Sequence, residues 1–358
     1  MHHRSYSCLL FTLGVYIALT TSANAHVKWF VPYNISEPPK VIENVLNFSC
    51  ASLLVLSYLL LSIGFIIEPL ALGRALLRGI NVITRTLESN TEIVVRAACG
   101  FFLVALWTLG GIILTPELKT TLPWVSWFQL AIAACLIWRQ TLVLAAFGLS
   151  CLYALAVYNY GIFHLLDYPV FIGAAIYLAS TGIGVNIFGI RAIDTLRVGI
   201  AITLMWASVE KWGYPQWSHG IIQSHPELTL GFTNEFFMQA AGVIEFALSF
   251  AILLGPLVRR AAAAVLIGMF TSAIIPFGRI DAIGHAPIIA ALLAVLGESK
   301  SGGGLLTFNA TSKWAVFRSL GLLVLNYSVL LVFFIAAYLM LHYQFYEHLA
   351  NSGGSVLT

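Results

Sequence analysis

Long runs of apolar residues alternate with short polar segments along most of the chain. Each of ten runs approaches the length that an α-helix needs to cross a bilayer, about 20 residues. The pattern predicts an all-α integral membrane protein with about ten transmembrane helices. The runs lie near 45–67, 94–115, 123–138, 141–158, 168–189, 197–213, 234–255, 261–277, 285–297 and 318–342.

The N-terminus has the pattern of a secretory signal peptide. Arg4 gives it a positive start, residues 9–19 form a short apolar core, and Ala23-Asn24-Ala25 is typical of a cleavage site. We therefore predict a signal peptide at 1–25, with His26 as the first residue of the mature chain. The alternative is an uncleaved first helix.

The composition supports a membrane protein. Hydrophobic residues make up 59% of the 358 residues, charged residues make up 9%, and the mean hydropathy is +0.90. A soluble domain carries about 25% charged residues, so lipid must cover much of this surface. The net charge of +3 is small and no basic tract occurs, which argues against a nucleic-acid partner. The bilayer is the partner that the sequence predicts.

The distribution of basic residues predicts the orientation. If the mature N-terminus is outside, twelve Lys and Arg residues fall inside and five outside, with Arg4 completing the 18 in the sequence. The positive-inside rule supports this arrangement, with both mature termini outside. The five outside residues are Lys28, Lys40, Lys119, Lys211 and Arg279.

The middle of the chain resembles a tandem repeat. Residues 94–180 and 195–297 share the order of a Trp-bearing first helix, a tight basic turn, a polar outside loop and a proline that opens the last helix. The sequence therefore predicts two parallel four-helix units with one flanking helix on each side. The predicted organisation is a signal peptide at 1–25, an N-terminal segment at 26–44, a helix and inside loop at 45–93, four-helix units at 94–190 and 191–300, and a last helix with its tail at 301–358.

Four short motifs in the second predicted unit carry a resemblance to a known family. They are Arg197-Val198-Gly199, Glu210-Lys211-Trp212, Gly242-Val243-Ile244-Glu245 and Gly255-Pro256-Leu257-Val258-Arg259-Arg260. Residues 195–297 resemble the DoxX-like family of small four-helix membrane proteins. The resemblance implies a lysine near the outer end of one helix, a glutamate in the next, and a Gly-x-x-x-Arg turn.

That family includes subunits of quinone-linked sulfur oxidoreductases and members without an assigned activity. The resemblance therefore implies a redox-associated membrane subunit. With the orientation from the basic residues, we expect a bacterial inner-membrane protein with periplasmic termini and a periplasmic or membrane redox partner. The first predicted unit departs from the pattern. Gly110 or Gly111 stands at the Glu-Lys position and no residue corresponds to Glu245, so this unit is expected to be a structural copy.

Five ionisable residues are the candidate catalytic groups. Glu245 is placed deep in its predicted helix, where a charged side chain is costly and indicates function. Glu210 and Lys211 lie near an outer helix end, and Lys211 is expected to pair with Glu245. Asp281 and His285 are four residues apart in a predicted outside loop, and on a helix they would share a face. The opposing interpretation is structural ion pairs and caps.

All seven histidines of the predicted mature chain fall on the outside. An N-terminal histidine offers its α-amino and ring nitrogens to one metal, which suits copper. We therefore predict a copper site built on His26, with further ligands among His164, His219 and His285. Three functions stay open: a copper- or quinone-linked redox subunit, a proton- or ion-coupled transporter using Glu245 and Lys211, and a structural or assembly subunit.

Overall fold

The structure is a computed structural model, and it describes residues 34, 37–299 and 312–347. No β-strand occurs among them, and their regular structure is helical. The α-helices are α1 (Ile42–Val45), α2 (Phe48–Ile67), α3 (Ala71–Leu109), α4 (Pro123–Cys135), α5 (Leu142–Leu165), α6 (Val170–Ile183), α7 (Ala192–Gly213), α8 (His219–Ser224), α9 (Asn234–Ile252), α10 (Pro256–Gly297) and α11 (Lys313–His342).

Seven described helices are long and apolar enough to cross a membrane. They begin at Phe48, Ala71, Arg139, Ala192, Asn234, Pro256 and Lys313, and α6 is a shorter apolar helix. The membrane class is thus supported, while the number of ten spans stays a prediction. The signal peptide at 1–25 lies outside the described residues.

The structure bears on two predicted loops in different ways. The predicted inside loop before residue 94 is helical, because α3 already begins at Ala71 and no proline interrupts it. Charged residues marked the segment before residue 94 as a loop, but a helix can carry them on an exposed face, as it does Arg74, Arg78 and Arg85. The chain does turn at the predicted outside loop at 278–284, because Gly278 with φ 72° and ψ −148° interrupts α10. The Phe270 and His285 rings lie 4.8 Å apart, whereas fifteen residues of straight helix would separate them by about 22 Å.

Glycines with positive φ interrupt two of the long helices. Gly161 in α5 has φ 81° and ψ 160°, and Gly278 in α10 has φ 72° and ψ −148°. Such angles are open to glycine because it lacks a Cβ atom. Both kinks fall in the polar segments that the sequence aligned as equivalent in the two predicted repeats. This correspondence supports the duplication, which stays a prediction.

The described residues form two compact units. Unit 1 comprises Ile80–Ile200 and Ala263–Ser299, and unit 2 comprises the described parts of Phe30–Gly79, Ala201–Ala262 and Lys300–Thr358. The units alternate along the chain, whereas the predicted domains at 94–190 and 191–300 follow each other. Those domain boundaries stay a prediction.

A close helix contact in unit 1 depends on two glycines. A Cβ atom on Gly173 would lie 2.5 Å from the Thr195 carbonyl oxygen, and one on Gly199 would lie 3.2 Å from the Gly173 Cα atom. The Thr195 hydroxyl donates to the Gly173 carbonyl at 3.0 Å. Small residues and a hydroxyl therefore hold α6 against the start of α7, as is common between membrane helices.

A group of four charges surrounds the start of α7 in unit 1. Asp194 accepts from Arg191 at 2.7 Å and from Arg197 at 2.8 Å. Glu298 lies 2.9 Å from Arg191 and 3.9 Å from Arg197. Arg197 and Glu298 are buried, and two positive charges balance two negative ones. The first motif of the family resemblance thus contributes its arginine to a neutral buried cluster.

The Gly-x-x-x-Arg turn in unit 2 has a specific structural role. The Glu68 carboxylate accepts from the backbone N–H groups of Leu257 and Val258 at 3.0 and 3.2 Å. It therefore satisfies two of the amides that are left open at the start of α10. A Cβ atom at Gly255 would lie 1.8 Å from a Glu68 oxygen, so glycine is needed there. Burial raises the pKa of Glu68, while these two N–H groups and the Arg259 charge act against the rise.

Candidate functional site

The centre of the candidate site in unit 2 is an ion pair between α7 and α9. Lys211 Nζ lies 2.5 Å from Glu245 Oε2, and the two side chains are 27% and 7% exposed. Glu245 is eleven residues into α9, which corresponds to about 16 Å along the helix. The pair therefore joins a partly exposed ammonium to a buried carboxylate.

Gly242 allows the two helices to approach closely enough for this pair. A Cβ atom at Gly242 would lie 2.3 Å from Trp212 Nε1. The Trp212 ring N–H donates to the Gln239 carbonyl at 3.3 Å, so the indole packs against the turn of α9 that precedes Glu245. Lys211 directly precedes Trp212, and the same close approach brings its ammonium to the carboxylate.

Glu210 has a different partner from its neighbour Lys211. Its Oε2 atom accepts from the Tyr338 hydroxyl on α11 at 3.2 Å. Adjacent residues on a helix point in different directions, and α7 thus presents an anion to α11 and a cation to α9. Sequence reasoning missed Tyr338. The available signal was its spacing of four from His342, which places both rings on one face of the last helix.

Asp281 and His285 form a buried pair in unit 1. His285 Nδ1 lies 3.0 Å from Asp281 Oδ2, as the four-residue spacing allows within α10. The Phe270 ring lies 4.8 Å from the imidazole, between ring centroids. Asp281 Oδ1 is buried without a hydrogen-bond partner among the described residues. The two residues belong to unit 1, whereas Glu210, Lys211 and Glu245 belong to unit 2.

The histidines have separate surroundings. His164 Nδ1 lies 3.8 Å from Glu117 Oε1 in unit 1, and sequence reasoning missed Glu117. His219 is exposed at the start of α8, and His225 contacts Glu227 at 3.0 Å. Within the described ranges, no three His, Cys, Asp or Glu side chains are grouped so that they could hold a metal ion. The copper prediction therefore depends on His26, which lies outside the described residues.

The chain segment before α2 packs on the end of α7, the start of α9 and the loop between them in unit 2. The Lys40 backbone N–H donates to the Gly213 carbonyl at 2.7 Å, and its ammonium pairs with Glu235 at the start of α9. The Trp217 ring N–H donates to the Asn34 carbonyl at 3.1 Å. This segment therefore lies at the ends of α7 and α9 that carry Lys211 and the aromatic residues around it.

Comparison with known families identifies one segment of the chain. Residues 192–279 match the model of the DoxX family, and this match confirms the resemblance. The matched residues include Lys211, Glu245, Gly255 and Arg259. No curated protein and no solved structure matches the chain significantly. With its long apolar helices, this chain is a multi-pass membrane protein in which residues 192–279 match the DoxX family.

Proposed function

We propose that the chain is a redox-associated membrane subunit whose Lys211–Glu245 pair binds a quinone-class head group at the periplasmic side of the inner membrane. The observation that carries this proposal is the gradient of exposure across the pair, from a partly exposed ammonium to a buried carboxylate. An ammonium donates to a quinone carbonyl, and a carboxylate accepts a proton from a quinol. Quinol oxidation releases protons as well as electrons and leaves a quinone carbonyl, so the carboxylate and the ammonium both have a use.

Binding of a short-chain quinone to the full chain in lipid nanodiscs tests the proposal. We expect saturable binding that Lys211→Met weakens about tenfold, equivalent to about 1.4 kcal/mol. Lys40→Met is the matched control, because it removes another Lys–Glu pair of unit 2 whose side chains are 25% and 55% exposed. Absence of saturable binding, or equal weakening by both variants, would refute the quinone site.

A proton relay is the second candidate function, and the same exposure gradient favours it. A buried carboxylate that exchanges its partner for a proton could pass that proton along α9. Proton flux into liposomes that contain the chain measures this activity. Flux abolished by Glu245→Gln, together with no quinone binding, would replace the first proposal. If Lys211→Met and Glu245→Gln lower only the stability of the chain or its assembly into a complex, the chain is a structural subunit.

Copper binding at the mature N-terminus is a separate proposal, supported by His26 following the Ala-x-Ala pattern. N-terminal sequencing of the membrane-inserted protein comes first. In a chain that still begins at Met1, His26 has no free α-amino group with which to bind copper. Metal analysis of the mature protein follows. We expect stoichiometric copper that is lost in His26→Ala, and a copper content that the variant leaves unchanged would contradict the proposal.

A further inference from the structure

A contiguous array of aromatic rings includes Tyr338, which contacts Glu210 in unit 2. The centroid distances are 4.6 Å from Trp206 to Tyr338, 5.7 Å from Tyr338 to Tyr214, and 4.3 Å from Tyr214 to Trp217. His342 lies 4.6 Å from Tyr214. These five side chains are buried, and each ring touches the next. The array extends from the middle of α7 to the loop that follows α7.

Tyrosine and tryptophan are the side chains that lose one electron most readily, apart from cysteine. An electron passes between rings in van der Waals contact without an intervening cofactor. Exposed interfacial belts also contain Trp and Tyr, but burial separates this array from such a belt. The packing of an aromatic core is enough to explain the ring contacts. It does not explain why the hydroxyls of Tyr338 and Tyr214 differ in their hydrogen-bond partners.

The two tyrosines of the array differ in their access to a proton acceptor. The Tyr338 hydroxyl donates to the Glu210 carboxylate at 3.2 Å. The Tyr214 hydroxyl is buried and has no hydrogen-bond partner among the described residues. A phenol becomes strongly acidic when it loses an electron, so a stable phenoxyl radical requires an adjacent base. Tyr338 has that base and Tyr214 lacks it.

We propose that this array conducts single electrons to an outer one-electron oxidant, and that Tyr338 is the residue on which the radical rests. In the step, Tyr338 gives one electron through Tyr214 and Trp217 to the oxidant, an oxidised metal ion or an organic radical at the outer surface. The Tyr338 O–H bond breaks, and the proton moves to the Glu210 carboxylate. The products are a neutral phenoxyl radical, a carboxylic acid and the reduced oxidant.

The inference deepens the redox role proposed above, but its test needs no quinone. The full chain in quinone-free nanodiscs is oxidised with a photogenerated ruthenium(III) complex, frozen, and measured by electron paramagnetic resonance. We expect a tyrosyl signal in the unaltered protein, and the loss of most of that signal in Tyr338→Phe. Failure of quinone binding would leave this expectation unchanged, so the two proposals fail separately.

Tyr327→Phe is the matched control. Tyr327 is also a buried tyrosine of α11 in unit 2, but its hydroxyl faces the Ser57 hydroxyl at 3.1 Å instead of a carboxylate. We expect its removal to leave the yield unchanged. Glu210→Gln keeps both array tyrosines and removes the base, so the long-lived tyrosyl signal should also disappear.

Two results would overturn the inference. One is a tyrosyl yield in Glu210→Gln equal to that of the unaltered protein. The other is an equal loss in Tyr327→Phe and Tyr338→Phe. If Tyr338→Phe fails to fold, Glu210→Gln alone decides the question, because it changes neither ring contacts nor side-chain size.

Discussion

Lys211 and Glu245 form a salt bridge whose loss would leave a carboxylate buried without its cation. Removing one partner of a buried pair costs about 3–5 kcal/mol. The Lys211 side chain is 27% exposed, and solvent screening reduces the effect. We therefore expect Lys211→Met to lower the free energy of unfolding by about 2–3 kcal/mol.

Removing the glutamate charge should destabilise the protein less than removing the lysine. In Glu245→Gln the lysine can reach solvent along its flexible stem, and the amide oxygen still accepts a hydrogen bond. We expect a loss of about 1–2 kcal/mol. Lys211→Met is the more destabilising variant because it leaves the more deeply buried partner, Glu245, without its counter-charge.

Thermal unfolding in a mild detergent, followed by tryptophan fluorescence, measures both variants. The double variant separates the pair energy from the loss of each side chain. Lys40→Met is again the control, since exposed pairs contribute about 0–1 kcal/mol. A Lys211→Met effect no larger than that of Lys40→Met or Glu245→Gln would refute the reasoning.

Three further predictions concern packing, pH and buried charge. Gly242→Ala should lower stability by about 1–3 kcal/mol through its clash with Trp212, whereas Gly79→Ala, with open space around it, should raise stability by about 0.5–1 kcal/mol. Burial raises the pKa of Glu68, so its neutral form favours folding. The free energy of unfolding should therefore decrease as the pH rises through that raised pKa. A pH series of unfolding curves should show this decrease in the unaltered protein and a smaller one in Glu68→Gln. Glu298→Gln should cost about 3–5 kcal/mol in the same unfolding assay, because it unbalances a buried charge cluster.

Each of these predictions has a contradicting result. Equal stability changes for the two glycine variants would show that helix propensity, and not the indole contact, determines the effect. If Glu68→Gln leaves the pH dependence of stability unchanged, a group other than Glu68 causes that dependence. A Glu298→Gln loss below about 1 kcal/mol, the range of exposed pairs, would mean that solvent reaches the cluster.

The local motifs of the DoxX segment were accessible to sequence reasoning. A lysine near a helix end and a glutamate deep in the next apolar run predicted an ion pair, because lipid offers a charge no other partner. The structure contains that pair. The four-residue spacing of Asp281 and His285 similarly required only a helical backbone to bring them together.

Local polarity was only a partial guide to the structure of one segment. The segment around Gly278 appeared to be a loop because it contains Arg279, Asp281 and His285. The chain does turn at Gly278, whose positive φ interrupts the helix, but the residues after it are helical and packing buries Asp281 and His285. No pattern in the sequence shows whether a polar segment is covered by neighbouring helices.

Composition and apolar periodicity determined the class of this protein, since 9% charged residues cannot solvate a surface of this size. Only the tertiary structure decided which distant residues meet. Glu68 caps α10 across 189 positions, and Tyr338 donates to Glu210 across 128. Helical periodicity fixes the face on which a side chain lies, but the partner on that face depends on how the helices pack.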